Sequence, residues 1–380
     1  MPPTARRVLE RARENRVDAT RMLGQLEPEA QVALVCETPL ARRAELLALL
    51  PEPESVVPQL PEAELCFTVK AIGIADAGWL LALASEEQIV AGLDLDAWQG
   101  TRPDPAALDE WMHALAESGP DALARALRAL DPELTVWFLK ERIALELKPN
   151  DDEGWQPPEG AQTLDGQFWF AARREADDLA PVLAMLHVLF ERDYWSYFRA
   201  LQGVIWELES ENEEWAMRWR SGRLEDLGFP PWDDAARIYA HLGTDALAAI
   251  PADAEPFAVS PWQLPVWMPQ LPSPTGSGSA LFEAIAELEV EERQAIFYAF
   301  VALANRVAVA DGLPLGDAES MPRAIEKAAC LADEGLRFVA EENAVSRVEA
   351  LRRVPLDRLF RVGANLDPEA ARPEPSEAGA

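Results

Sequence analysis

The sequence predicts an all-α protein: an N-terminal superhelical array of short helical hairpins followed by helical bundles. Apolar residues recur at steps of three and four along nearly the whole chain, and alternation with period two is scarce outside one proline-rich stretch. Junctions in which a leucine-ended helix meets Pro and Glu recur through the first third. The chain has 380 residues, more than one core of ordinary size accommodates, so two or three packed units are expected.

The first unit is read as residues 1–147, a helical-repeat superhelix. Its junctions are Leu26-Glu27-Pro28-Glu29, Leu50-Pro51-Glu52-Pro53, Leu60-Pro61-Glu62 and Leu130-Asp131-Pro132-Glu133, with a looser copy at Ser85-Glu86-Glu87. Proline fits the first helical turn because the amide it lacks would have no partner there, and the adjacent acid offsets the positive helix end. Each junction therefore stops one helix and starts another. Helices of about ten residues cannot bury an apolar face alone, which argues for stacking on neighbours.

Residues 148–166 lose the helical period, collect Pro, Gly and acid, and read as a linker. A bundle over 167–250 follows, with Asp177 and Asp178 as caps, Pro181 in a first turn, and one long helix running from Tyr194 past Trp219. That helix carries Tyr194, Tyr197, Phe198, Leu201, Ile205 and Leu208, then Trp215 and Trp219, opposite Glu207, Glu211 and Glu214. An aromatic stripe at this spacing is read as core, a partner groove being the alternative. A shorter helix from Trp232 to His241 closes the unit. Residues 251–279, with Phe257, Trp262 and Trp267 among prolines, read as an extended strap. A C-terminal helical unit is expected at 280–366, with a very apolar helix over 291–310, and a disordered tail at 367–380.

Composition narrows the function classes. The 66 acidic against 34 basic side chains leave a formal charge of −32, which repels phosphate backbones and anionic lipid alike; no nucleic acid is expected as a partner. No apolar run approaches the roughly 20 residues that span a bilayer, so no membrane insertion is expected. The N-terminus lacks the apolar stretch of a secretory signal, so a cytoplasmic location is expected. Cys36, Cys66 and Cys330 are odd in number, far apart and set in apolar stretches, and read as buried reduced thiols. Lysine is confined to Lys70, Lys140, Lys148 and Lys327, a bias towards Arg that fits a GC-rich bacterial coding sequence.

Two resemblances rest on particular residues. The junctions above resemble the helical repeats of the magnesium-transporter gate domain and of the flagellar motor switch protein, over roughly residues 20–145, which implies a superhelix of hairpins. Neither the nucleotide-binding modules nor the membrane helices of that transporter family follow. Ala71-Ile-Gly-Ile-Ala-Asp76-Ala-Gly-Trp79, Leu93-Asp94-Leu95-Asp96-Ala97-Trp98 and Leu303-Ala-Asn305-Arg-Val-Ala-Val-Ala-Asp311-Gly312 resemble an uncharacterised bacterial family known only as a domain of unknown function. That resemblance covers most of the chain and implies no activity.

Phosphate loops, dinucleotide fingerprints, nucleophile elbows, zinc-protease helices and Cys-x-x-Cys pairs are all missing from the sequence, so no catalytic residue and no bound cofactor are assigned. His113 and His187 each precede a glutamate, Glu117 and Glu191, by one helical turn. Glu110-Trp-Met-His113 matches half of a di-iron motif without its second copy, and reads as structural. Two acidic turns are candidate Ca2+ or Mg2+ sites, since hard cations want converging carboxylates. One holds Asp94, Asp96 and Asp104; the better one holds Asp311, Asp317 and Glu319, and resembles the Ala-Asp-Gly turn of tellurite-resistance-type helical domains. Both also read as helix caps and stops. The basic first helix, with Arg6, Arg7, Arg11, Arg13 and Arg16, docks either on this chain's own acids or on a partner's.

Together these features read as a helical scaffold or adaptor that presents an acidic surface to a protein partner, itself basic. The alternative is a divalent-cation or small-ligand sensor built on the turn at Asp311. A further alternative is an enzyme with a site between the second and third helical units (167–250 and 280–366), where His187, His241 and the Glu207 to Glu214 cluster meet.

Overall fold

The leucine-ended junctions do open helices. The computed structural model describes residues 4–150, 154–174, 178–251 and 279–372. It begins with α1 (Ala5–Glu14), α2 (Arg16–Leu23), α3 (Pro28–Cys36), α4 (Leu40–Leu47), the single turn α5 (Pro53–Val56) and α6 (Glu62–Ile72). There follow α7 (Gly78–Leu81), α8 (Glu86–Asp96), α9 (Pro105–Glu117), α10 (Pro120–Ala129) and α11 (Pro132–Arg142). Pro28, Pro53 and Pro132 each occupy a first turn, Pro61 immediately precedes α6, and Ser85 caps α8 through a reciprocal pair with Gln88.

After α11 the chain forms β3 (Ile143–Leu147) and β4 (Phe168–Ala172), an antiparallel pair in which Leu145 lies opposite Phe170. A smaller pair, β1 (Trp98–Gln99) with β2 (Arg102–Pro103), sits between α8 and α9. Residues 148–166, read as a linker, are thus the connection of a β-hairpin. The period argument missed these strands because each is only five residues long, and β3 runs straight on from α11; segments so short cannot be told from helix by pattern alone. The first unit ends with α12 (Ala180–Arg192), α13 (Tyr194–Trp206) and most of α14 (Glu209–Asp226), its boundary lying at Arg220.

Packing in this unit skips along the chain: α4 lies on α6, α6 on α8, α8 on α10 and α10 on α12. Of these, α6, α8 and α10 each bury one side on the predecessor but one and another on the successor but one. This is why α6 is buried over Ala63, Glu64, Leu65, Cys66, Phe67, Thr68 and Val69 rather than along one stripe. Glu64, in that run, is paired with Arg43 of α4 at 2.6 Å, and the guanidinium also donates to the carbonyls of Thr38 and Cys36 and to Thr68 Oγ1. The pair is buried and hydrogen-bonded on all sides, the condition under which a charge is tolerated in a core. Gln88 plays a neutral counterpart, donating to the carbonyls of Val57 and Leu60 where the chain turns into α6.

The second unit, from Ser221, contains α15 (Trp232–Ala235), a 3-10 turn (Ala236–Tyr239), α16 (Thr244–Leu247), α17 (Ala280–Ala286), α18 (Val290–Ala310), α19 (Ser320–Glu342), α20 (Arg347–Arg353) and α21 (Leu356–Leu366). The helix expected from Trp232 to His241 is four α residues followed by the 3-10 turn. The apolar helix expected over 291–310 is α18, which buries Ile296, Phe300, Leu303, Ala304 and Val307 against α15, α17, α19 and α21. The tightest crossing is α19 on α21. A Cβ on Gly335 would lie 1.9 Å from the Leu359 carbonyl oxygen, and one on Gly363 would lie 1.9 Å from that of Leu331. Backbones touch there, and only glycine fits.

Among the described residues, twenty-one α-helices and two two-stranded sheets make the chain all-α in the broad sense, and no helix is long and apolar enough to cross a membrane. Asp177, the aromatic residues of the expected strap (Phe257, Trp262 and Trp267) and the tail beyond Arg372 lie outside the described residues.

Candidate functional site

Of the expected cation turn, Asp311 caps the C-terminus of α18 with its side chain 5% exposed. Its Oδ2 is paired with Lys327 Nζ of α19 at 2.7 Å, and its Oδ1 accepts from the Tyr239 hydroxyl at 2.7 Å. Burial, then the charge of Asp311, pushes the Tyr239 hydroxyl well above its ordinary pKa, so it stays a donor. Lys327 also lies 5.1 Å from the centre of the Tyr239 ring and donates to the carbonyls of Ala371 and Arg372. Both oxygens of Asp311 are therefore engaged within the protein. Asp317 accepts the amide of Glu319 at 3.0 Å, and Glu319 is the N-cap residue of α19. Among the described residues no group of three or more His, Cys, Asp and Glu side chains is gathered as a metal ion would require.

At the other acidic turn, Asp96 pairs with Lys70 at 2.5 Å and accepts from Trp111 Nε1 at 2.9 Å. Asp104 caps α9 through the amides of Ala106 and Ala107, and Asp94 is buried. His113 meets Glu117 at 3.4 Å, as its spacing foretold, whereas His187 Nδ1 lies 2.8 Å from the carbonyl of Leu183. His187 and His241 are both exposed, and they belong to different units. The expected basic first helix is broken at Asn15: on α1, Arg6 pairs with Glu10 and Arg11 with Glu14 and Asp18, while Arg16, which opens α2, donates to the carbonyl of Ala48. Cys36 and Cys66 are buried as expected, but Cys330 is exposed. On α19 the core side is taken by Ala324, Ala328, Leu331 and Ala332, which turns residue 330 outward.

The surface that stands out lies on α13 and α14. The single long helix expected here is two, because Glu207 takes an extended backbone (ψ 150°) and its carbonyl accepts from Lys140 Nζ at 2.5 Å. Asp193 caps α13, its carboxyl held below the ordinary range first by the Ser196 hydroxyl and then by backbone amides. The buried side of α13 is Tyr197, Ala200, Leu201 and Gly203, and the last allows close approach to Val136 of α11. Trp195 and Trp206 are eleven residues apart, about three full turns, so they share the opposite face. They are 67% and 59% exposed.

On α14 the buried side carries Asn212 and Ala216. The helix is pinned by an Arg102–Glu213 pair at 3.0 Å and by Arg220, which donates to the Asp94 carbonyl and lies 4.9 Å from the centre of a Trp98 ring. Trp215 and Trp219 are thereby turned outward, 47% and 51% exposed, with rings 6.3 Å apart. The Arg218 guanidinium lies 4.9 Å from the centre of a Trp215 ring. Between the helices Trp206, Glu207, Leu208, Glu209 and Glu211 are all exposed, Leu208 at 61%. The stripe read as core is thus core only on its Tyr197–Leu201 side; Leu208 and the Trp215 and Trp219 continuation are surface. A helix-wide stripe spanning a break is rotated at the break, which the spacing could not report.

This arrangement offers aromatic faces beside carboxylates. No curated protein and no solved structure matches the chain. The sequence matches a family of unknown function (DUF6178) over residues 20–372, almost the full length described above, and the chain belongs to that family.

Proposed function

We propose that the chain is a helical adaptor that docks a basic, arginine-rich protein segment on the exposed tryptophans and glutamates of α13 and α14. The observation that carries this reading is the exposure of Trp195, Trp206, Trp215 and Trp219 beside Glu207, Glu209, Glu211 and Glu214. Exposed tryptophan loses hydrophobic stabilisation unless something covers it, and Trp is the residue most enriched at binding hot spots. Charge complementarity names the occupant: a guanidinium stacks on an indole and pairs with a carboxylate, as Arg218 does with Trp215 and, at 2.6 Å, with Glu214 in this very helix. The chain's charge of −32 would steer such a partner at long range. Free thiols at Cys36, Cys66 and Cys330 support a reducing, cytoplasmic setting for this role.

A labelled arginine-rich helical peptide titrated against the full chain tests this. Saturable quenching of tryptophan fluorescence that weakens with salt is expected, with a loss of at least about tenfold in affinity for Trp215→Ala/Trp219→Ala and a nearly unchanged melting temperature. Equal binding by the double variant overturns the reading.

A further inference from the structure

A cleft of about 530 Å3 in the second unit is lined by Arg237, Arg306, Arg358 and Arg361 together with Glu225, Asp234 and Asp357. Its size is that of a small-ligand pocket. Arg237 is paired with Asp234 at 2.8 Å and Arg306 with Asp357 at 3.6 Å. Arg358 and Arg361, one turn apart on α21, have no carboxylate within 4.0 Å among the described residues. Their visible partners are backbone carbonyls: Arg361 donates to Ala240 at 2.7 Å and to His241 at 3.2 Å, and Arg358 donates to Ala246. Arg358 Nε is buried with no acceptor.

Strapping residues 240–246 onto α21 accounts for those three bonds but not for the rest. A guanidinium offers five donors, and among the described residues neither of these adjacent cations forms an ion pair, in a chain whose acids outnumber its bases by 66 to 34. Burial first, then the charge of Arg361, holds the Arg358 guanidinium below its ordinary pKa, against the smaller opposing pull of Asp357. Two forked cations a turn apart match a dianion better than a single carboxylate.

We propose that this cleft binds the phosphate group of a small phosphorylated ligand, held by Arg358 and Arg361 with Arg306 at its rim. The cleft uses none of the exposed tryptophans of α13 and α14. The test is titration of the full chain with inorganic phosphate and pyrophosphate, with acetate and chloride at matched ionic strength, followed by calorimetry and thermal melting. Phosphate and pyrophosphate are expected to bind saturably and raise the melting temperature, and acetate and chloride to do neither. Arg361→Gln should weaken binding by at least about tenfold, the usual worth of a charge-assisted bond. Asp357→Asn, at a half-exposed position, should tighten it by removing a repelling charge. Where Arg361→Gln does not fold, as judged by circular dichroism, Asp357→Asn decides alone, and unchanged affinity there overturns the proposal. So does absence of saturable binding by the wild-type chain, or equal effects of acetate and phosphate.

Discussion

Arg43 and Glu64 show how single residues are settled by surroundings that the local sequence does not reveal. Nothing near either residue marks them as a buried pair; the pairing exists because α4 and α6 pack, and because Thr38, Cys36 and Thr68 supply the remaining acceptors. The cysteines make the same point with a testable difference. Burial pushes the Cys36 thiol up to about 12 and the fully buried Cys66 still higher, so neither should react in the native state. Cys330 is exposed, yet partial burial, then Glu334, Glu326 and Asp333, also raises its pKa. A raised thiol pKa leaves less thiolate at neutral pH, so labelling of Cys330 should be slower than that of a free thiol. It should quicken about tenfold per pH unit on raising the pH while the thiol remains mostly protonated. Ellman's assay should count one thiol in the native chain and three in denaturant; three fast-reacting native thiols would refute this placement.

At the scale of elements, the helix starts at the leucine-ended junctions and at Pro181 were legible, because proline in a first turn and acid beside it act through local geometry alone. Helix relations were not. The break at Glu207 depends on Lys140, distant in sequence, and the crossing of α19 on α21 depends on two glycines in otherwise ordinary helical stretches. Gly335→Ala gains roughly 1 kcal/mol of helix propensity. It also forces a methyl to within 1.9 Å of a carbonyl oxygen, and such overpacking costs typically about 1–3 kcal/mol or more. The second effect should win, so urea melts should show net destabilisation. Gly222, with nothing within 4 Å of its would-be Cβ, is the control: Gly222→Ala should stabilise by up to about 1 kcal/mol. A stabilising Gly335→Ala would mean that the two backbones do not touch.

For the whole molecule, length and connectivity argue for more than one cooperative core: the chain divides at Arg220 and Ser221, each side holding its own packed helices. Scanning calorimetry should therefore give a total enthalpy larger than the van't Hoff value, and a ratio of one would show a single cooperative unit. The sequence by itself determined that the chain is helical, where the helices at its proline junctions begin, that its charge is strongly negative, and which family it belongs to. These follow from local periodicity, capping chemistry and composition, each carried by neighbouring residues. Only the tertiary structure decided that Asp311 faces Lys327 and Tyr239 instead of an acidic turn, that Trp215 and Trp219 face outward, and that four arginines line one cleft. The reason is physical: facing and pairing depend on helix rotation and on partners tens to over a hundred residues away, and a period of 3.6 fixes neither.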